Sequence, residues 1–384
     1  MNTDNLSALS VGIGVVALIA GFGIYFNNSS PNNTVAGQQH TNLTPTTVSE
    51  SNATGITKIQ IDKSQFKLAP EFTKVSGYIN TNPIKLSDLK GKVVLVDFWT
   101  YSCINCIRTI PYLNTWYEKY QDKGLVIVGI HTPEFEFEKD YSNVKAAVQK
   151  FGIKYPVIQD NDKGTWQVYD NRYWPHKYLI DNEGYIRYDH IGEGSYSDTE
   201  KAIQSLLAER AVSLGANITI DKTISNPTGA QSIDFTKINT PELYFGYKYA
   251  RMQIGNPEGF KPDQVVKYTL PSADKLTPNR IYLDGEWKNN PDNMELRSEV
   301  GHIVLTYSAK ASNIVAGGHG NLRISEDKQN MTGNSRGTDV SDLGQVSING
   351  QRLYNLTMHQ EYGEHNLAID VKGKGFQIYT FTFG

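Results

Sequence analysis

Hydrophobic and polar positions follow three regimes along the chain. Residues 6–26, LSALSVGIGVVALIAGFGIYF, are apolar apart from two serines and carry no charge. A helix of ~20 such residues spans a bilayer, so 1–27 is expected to be a transmembrane anchor. Residues 28–57 are rich in Asn, Ser, Thr, Pro and Gln, with a single charge at Glu50. Such a stretch buries too little apolar surface to fold and reads as a disordered linker. From Lys58 the pattern is that of folded protein.

KVVLVDFW (92–99) is a continuous apolar run of the kind that makes a buried strand, preceded over 66–92 by a hairpin-like stretch. In CINCIRTIPYLNTWYEKYQDKG (103–124), Ile107, Ile110, Leu113, Trp116, Tyr117 and Tyr120 recur at helical spacing, and Gly124 supplies the stop. LVIVGIH (125–131) is a second buried strand, YSNVKAAVQKFG (141–152) a helix and YPVIQD (155–160) a short strand. HKYLID (176–181) and YIRYDHIG (185–192) flank an Asn-Glu-Gly turn and form a hairpin. SDTEKAIQSLLAERAV (197–212) is a helix whose Ser197 and Glu200 match a capping box. The order is β-α-β-α-β-β-α. Its first two strands are joined through a helix, so they should be parallel with a right-handed crossover. Loops at their carboxyl ends then share one edge of the sheet. This α/β domain is expected over 58–212, with a connector over 213–239.

Residues 240–384 show no helical period. Short apolar or alternating runs, among them QVVKYTL, NRIYLDGEW, GHIVLTYSA, RLYNLTM and GFQIYTFTFG, are punctuated by Gly, Asn, Asp and Pro. That spacing reads as an all-β sandwich domain.

The 384 residues are 39% hydrophobic and 20% charged, with a net charge of −3. There is no basic cluster, so nucleic-acid binding has no electrostatic footing. The first basic residue is Lys58, which leaves the positive-inside rule nearly mute on orientation. Asn-x-Ser/Thr sequons at Asn28, Asn33, Asn42, Asn52, Asn217, Asn330 and Asn355 suit an extracytoplasmic face.

The candidate chemistry lies in DFWTYSCINCIRTIP (97–111), which holds both cysteines of the chain. A structural zinc site needs four ligands, and this pair has no second pair or nearby His pair, so no metal is expected. A clip closing so small a loop would restrict the unfolded chain little. A redox dithiol fits better. Cys103 falls at a helix N-terminus, where orphan N–H groups and the helix dipole lower a thiol pKa from ~8.5 into the ~3.5–7.5 range. Cys106, one turn on, would resolve the mixed disulfide. Asp97, in an apolar strand, would titrate high and accept the Cys106 proton. His131 and Glu134, just after the second parallel strand, and Glu193 in GEGSY are candidate site-edge residues. His176, beside Pro175, is a weaker one. Thr100-x-x-Cys103 echoes a peroxidase pair, although Val96 stands where a peroxidase would carry proline.

DFWTYSCINC resembles the active site of the thioredoxin superfamily, and APEF with LSDLKGKVVLVDFW resembles its TlpA/ResA branch. WTYSCINCIRTIPYLNTWYEKY, GIHTPEFEFE, WPHKYLID, IGEGSY and TPELYFGYKYAR are together similar to the periplasmic part of DipZ-type proteins. The resemblance implies a thioredoxin-like domain followed by a jelly-roll-like, carbohydrate-binding-module-like sandwich. It implies Asp97 as the buried acid, Trp99 as the active-site tryptophan, and Trp174-Pro175 as the cis-proline segment that seats substrate. It implies no cofactor beyond the Cys103–Cys106 disulfide and protein thiols or disulfides as substrates. It also implies a separate membrane electron donor of the CcdA type, because this chain has one apolar helix where DipZ-type proteins have many. The expected function is a membrane-anchored, extracytoplasmic thiol–disulfide oxidoreductase, with reduction the favoured direction. The alternatives are a thiol peroxidase, or a glycan- or protein-binding surface protein with an inert thioredoxin scaffold. In the latter, Tyr282, Trp287 and Tyr307 would be the aromatics available for sugar stacking.

Overall fold

The computed structural model describes residues 47–50, 58–331 and 333–384. The expected anchor and most of the expected linker lie outside these residues. Among the described residues no helix is long and apolar enough to cross a membrane. Two short strands, Thr47–Glu50 and Lys58–Ile61, pair antiparallel.

The first sheet has six strands: β1 (Gly77–Ile79), β2 (Val93–Trp99), β3 (Leu125–His131), β4 (Val157–Gln159), β5 (His176–Ile180) and β6 (Ile186–Ile191). Their order is β1-β4-β3-β2-β5-β6. β2, β3 and β4 are parallel neighbours, while β5 and β6 run antiparallel on one side and β1 on the other. β1 therefore joins β4 across the sheet and forms no local hairpin, contrary to the expectation for 66–92. Every side chain of β2 is buried. Val93 and Leu95 enter a core with the helices, and Val94, Val96 and Phe98 enter another with Phe72, Tyr169 and Tyr178. A strand covered on both faces is why the run is apolar without alternation.

The helices are α1 (Ile104–Tyr120), α2 (Tyr141–Lys150), α3 (Gly164–Val168) and α4 (Tyr196–Ser213). α1 buries Ile110, Leu113, Trp116 and Tyr120 against the sheet, and Gly124, at φ 105, turns the chain into β3. α4 starts earlier than the capping box predicts. Its N-cap is Ser195, which makes no side-chain cap, and Ser197 is already helical. Glu200 points inward instead and accepts from Tyr120 Oη at 2.8 Å and from the N–H of Ser225 at 2.6 Å. Those bonds, with Lys119 donating to Thr223, lay the segment after α4 along α1.

The second sheet has ten strands: β7 (Leu243–Tyr244), β8 (Val265–Tyr268), β9 (Tyr282–Asn289), β10 (Met294–Leu296), β11 (Val300–Gly317), β12 (Gly320–Glu326), β13 (Gln329–Asn330), β14 (Gln345–Ile348), β15 (Arg352–Lys372) and β16 (Gln377–Phe383). The path is β8-β9-β10-β16-β11-β15-β12-β13, with β14 on β12 and β7 on β16. This region is all-β, as expected. The long strands β11 and β15 each replace two of the short runs read from the sequence. They continue through bulges at Ala309/Ala311 and Ser312/Asn313. Tyr282, Trp287 and Tyr307 are core side chains, at most 3% exposed, and offer no face to a sugar.

The two sheets share a core. Tyr244, Val315 and Tyr379 belong to the same apolar cluster as Cys106, Trp116 and Phe135. Tyr379 packs at 5.1 Å from Phe135 and 4.8 Å from Phe137, centroid to centroid.

Candidate active site

Cys103 is the N-cap of α1. Its backbone is extended, and its Sγ accepts from the Cys106 N–H at 3.2 Å. The sulfur thus occupies the place a Ser or Asp side chain takes in an ordinary cap, facing the otherwise unpartnered amides of the first turn. Both thiols are free; Cys103 is partly exposed and Cys106 is buried. Burial pushes the Cys106 thiol far up, and the adjacent Cys103 sulfur and the Asp97 charge push it further.

Sheet alternation puts Asp97 on the face of Val93, Leu95 and Trp99, the face whose core also holds Cys106. It is 2% exposed, its Oδ1 has no hydrogen-bond partner, and burial pushes it from an ordinary 3.8 to about 7. Lys177 is its cross-strand partner on β5. This lysine is fully buried and donates to the Gly192 carbonyl at 2.9 Å. Burial holds the Lys177 ammonium below its ordinary range, while the charges of Asp97 and Cys106 counter this. Sequence reasoning missed Lys177. Its signal was the same as that of Asp97: one charge in an otherwise apolar strand.

The Trp174–Pro175 peptide is cis. The register of β2 with β5 pairs Phe98 with His176, so Pro175 sits opposite the end of β2 that leads to Cys103. Trp174 Nε1 donates to the Thr132 carbonyl at 3.0 Å, and its ring lies against Trp166. Cys103 and Trp174 flank the same apolar cluster. The structure therefore gathers Cys103, Cys106, Asp97, Trp174 and Pro175 at one end of the sheet.

Trp99 has another place. It is 1% exposed and packs edge-on against His131, with its indole over Gly129. A Cβ at Gly129 would stand 2.9 Å from Trp99 Nε1. The expected substrate-contacting tryptophan is a packing residue. His131 is likewise buried, with the Tyr101 ring stacked on it, and burial pushes its imidazole down to about 3. It is neutral and touches Thr100 Oγ1 at 3.4 Å.

Glu193 and Glu134 brace the site from outside the dithiol. Glu193 takes a two-pronged hydrogen bond from Arg108, 2.8 Å on each arm, and Arg108 also donates to Asn105 Oδ1 at 2.7 Å. Asn105, one of the two residues between the cysteines, is thus tied to the turn before α4. Glu134 accepts from Tyr244 Oη at 2.7 Å, and its carbonyl accepts from Tyr249 Oη, so it joins the two sheets. Glu138, which sequence reasoning missed, is buried and accepts from Ser102 Oγ at 2.5 Å and from the N–H of Phe135. It pins the Cys103 loop to the loop after β3. Tyr101 and Ile104 also line a cavity of about 930 Å3, whose far wall is formed by β11 and β15.

Residues 67–189 match the AhpC/TSA family, and residues 240–384 match the family described as "Thioredoxin like C-terminal domain". Protein DipZ of Mycobacterium tuberculosis is 35% identical over 325 residues, covering 82% of this chain and 43% of that protein. Thiol-disulfide oxidoreductase ResA of Bacillus thuringiensis is 32% identical over 149 residues, 39% of this chain and 80% of that protein. The chain belongs to the thioredoxin-like family of ResA. Thiol-disulfide oxidoreductase YkuV of Bacillus subtilis is 29% identical over 36% of this chain and 94% of that protein. This thioredoxin-like chain spans less than half the length of the DipZ proteins it matches.

Proposed function

We propose that the chain is a thiol–disulfide oxidoreductase acting on protein disulfides. The observation that carries the reading is the Cys103 sulfur capping its own helix, one turn from a buried Cys106 on the same face of the sheet as a buried carboxyl. The Cys103 thiolate attacks one sulfur of a substrate disulfide and expels the other as a thiolate. A bond between Cys103 and the substrate results. Cys106 then gives its proton to Asp97, through water, and attacks the Cys103 sulfur. The substrate leaves as a dithiol, and the chain keeps a Cys103–Cys106 disulfide; two electrons have passed to the substrate. Trp174-Pro175, at the same end of the sheet as Cys103, seats the substrate chain. A separate dithiol donor of the CcdA type in the membrane restores the pair.

The names of ResA and YkuV support this reading, as does the placement of both thiols. In the same proposal residues 58–212 carry the chemistry and residues 6–26 tether it outside the cytoplasm. Residues 240–384 form a jelly-roll-like body that walls the substrate cavity. Insulin reduction by the purified chain is the test. Cys103→Ser is expected to abolish turnover, and Cys106→Ser to accumulate mixed disulfides with the substrate. Turnover undiminished in Cys103→Ser would overturn the proposal.

A further inference from the structure

We infer a divalent-metal site in the second sheet, built from Glu326, His359 and His365. Glu326 ends β12, opposite Leu367 of β15. Both histidines lie on β15, six residues apart. A regular strand would hold them about 20 Å apart, at ~3.3 Å per residue. Here their rings stack with centroids 3.9 Å apart and 5° between planes. The cause is a break in register. Against β11, pairing passes from Met358, opposite Ala311, to Gly363, opposite Ala309, so residues 359–362 bulge out. Bulges of this kind re-aim side chains and recur beside functional sites.

The donor atoms of the three residues all lie within 4.8 Å of one another. Glu326 Oε2 stands 2.9 Å from His359 Nε2 and 3.8 Å from His365 Nδ1. A tetrahedral site with bonds of ~2.0–2.1 Å has edges of about 3.3 Å, a length these two separations bracket. Stacked imidazoles send their lone pairs out side by side. A turn of one ring about χ2, a soft torsion, lets both face a single ion.

The surroundings hold the ligands ready. Tyr307 Oη donates to Glu326 Oε1 at 2.7 Å, which leaves Oε2 toward the histidines. Tyr307 is fixed in turn by Thr357 Oγ1 at 2.8 Å. Asp327 Oδ2 lies 3.3 Å from the same nitrogen, His365 Nδ1, so an ion bound there takes the place of that hydrogen bond. Two nitrogens stay buried without a hydrogen bond, His359 Nε2 and His365 Nε2. The former is close to Glu326 Oε2 yet off the hydrogen-bond line. His359 Nε2, the nitrogen that faces Glu326, is left unsatisfied and calls for a partner, which an ion supplies. Side-chain exposures of 6%, 13% and 17% for Glu326, His359 and His365 leave the cluster shielded but reachable.

Two imidazoles and a carboxylate suit zinc or a similar borderline divalent cation. Three protein ligands leave a fourth position open. His359 and Met358 line the same cavity as Ile104, between the cysteines. A group bound at that position therefore shares the cavity with whatever meets the dithiol.

The test uses the full chain with Cys103→Ser and Cys106→Ser, which removes competing thiolate ligands and makes the result independent of the redox reading. After dialysis against chelator, Zn2+ is titrated calorimetrically and Co2+ by its visible d–d absorption. One equivalent per chain is expected. His359→Ala, His365→Ala and Glu326→Gln should each weaken Zn2+ at least tenfold. In the cysteine-free chain carrying no further change, long-range 1H–15N spectra should show the two imidazoles responding to one equivalent of Zn2+, a readout that no folding defect can mimic. No stoichiometric binding, or imidazoles that do not respond, would overturn the inference.

Discussion

Asp97→Asn tests the proton path. Folding takes the Asp97 carboxyl from an ordinary 3.8 to about 7 through burial, despite Lys177 opposite it. At ~1.36 kcal/mol per unit, that shift corresponds to about 4 kcal/mol of differential stability. The sign follows from linkage. The folded state holds this proton more tightly than the unfolded state, so its stability is full below about pH 4 and is lost as pH rises toward about 7. Asparagine removes the titration. The variant should match the parent near pH 4 and gain on it through the window. Lys177 loses its attracting charge in the variant, which takes back part of the gain and leaves about 2 kcal/mol at pH 8, read by urea denaturation. Activity moves the other way. With 5,5′-dithiobis(2-nitrobenzoate) added to the reduced protein, Cys103 attack releases one thionitrobenzoate and Cys106 resolution releases the second. Asp97→Asn should slow the second release about 100-fold at pH 7, the lower range for loss of a general base, and leave the first unchanged. The parent's second phase should rise through pH 7 with the ionisation of Asp97. A variant whose second phase keeps the parental rate and pH profile would refute the proton path, and a stability difference independent of pH would refute the burial argument.

Two further predictions concern the bracing groups. Glu193→Ala leaves Arg108 buried without its two-pronged partner, both side chains being 5% exposed, and should cost about 3–5 kcal/mol by chemical denaturation. The same change frees Asn105 and should alter the reduction potential of the dithiol, measured against glutathione. The Tyr244 hydroxyl lies 2.7 Å from Glu134 and 2.8 Å from Glu242 and has one proton to donate between them, and burial raises both carboxyls. Their stabilising contribution is therefore present at acid pH and lost as pH rises above the ordinary carboxylate range. Glu242→Gln should raise the melting temperature at pH 8 by roughly 2–4 °C, the size of a ~1 kcal/mol change, and have little effect at pH 4.

The dithiol, its helix and the two parallel strands were legible because each rests on local chemistry. Seven contiguous buried residues from Val93, and six of seven from Leu125 with Val126 alone part-buried, match the two continuous apolar runs. Lys177 carried the same signal as Asp97, a charge in an apolar strand, and was missed; Glu138 was not legible, since it gains its role from Ser102, distant in sequence and across the loop. The capping box failed because Glu200 found better donors in Tyr120 and Ser225. In the second sheet, Gly and Asn punctuation broke β11 and β15 into pieces. The strands instead run on through those residues, Asn313, Asn355 and Gly363 all being paired, because each strand has a neighbour on both sides. The bulge in β15 unites His359 with His365, so a pair spaced too far for a strand site carried no signal in the sequence.

Phe135 and Phe137 belong to the loop that anchors Cys103, yet they are covered by Tyr379 and Tyr244 from the second sheet. A fragment cut after α4 would bear an oily scar next to its own thiols and would clump before it could be assayed. A minimal catalytic fragment designed from this chain must change those two phenylalanines.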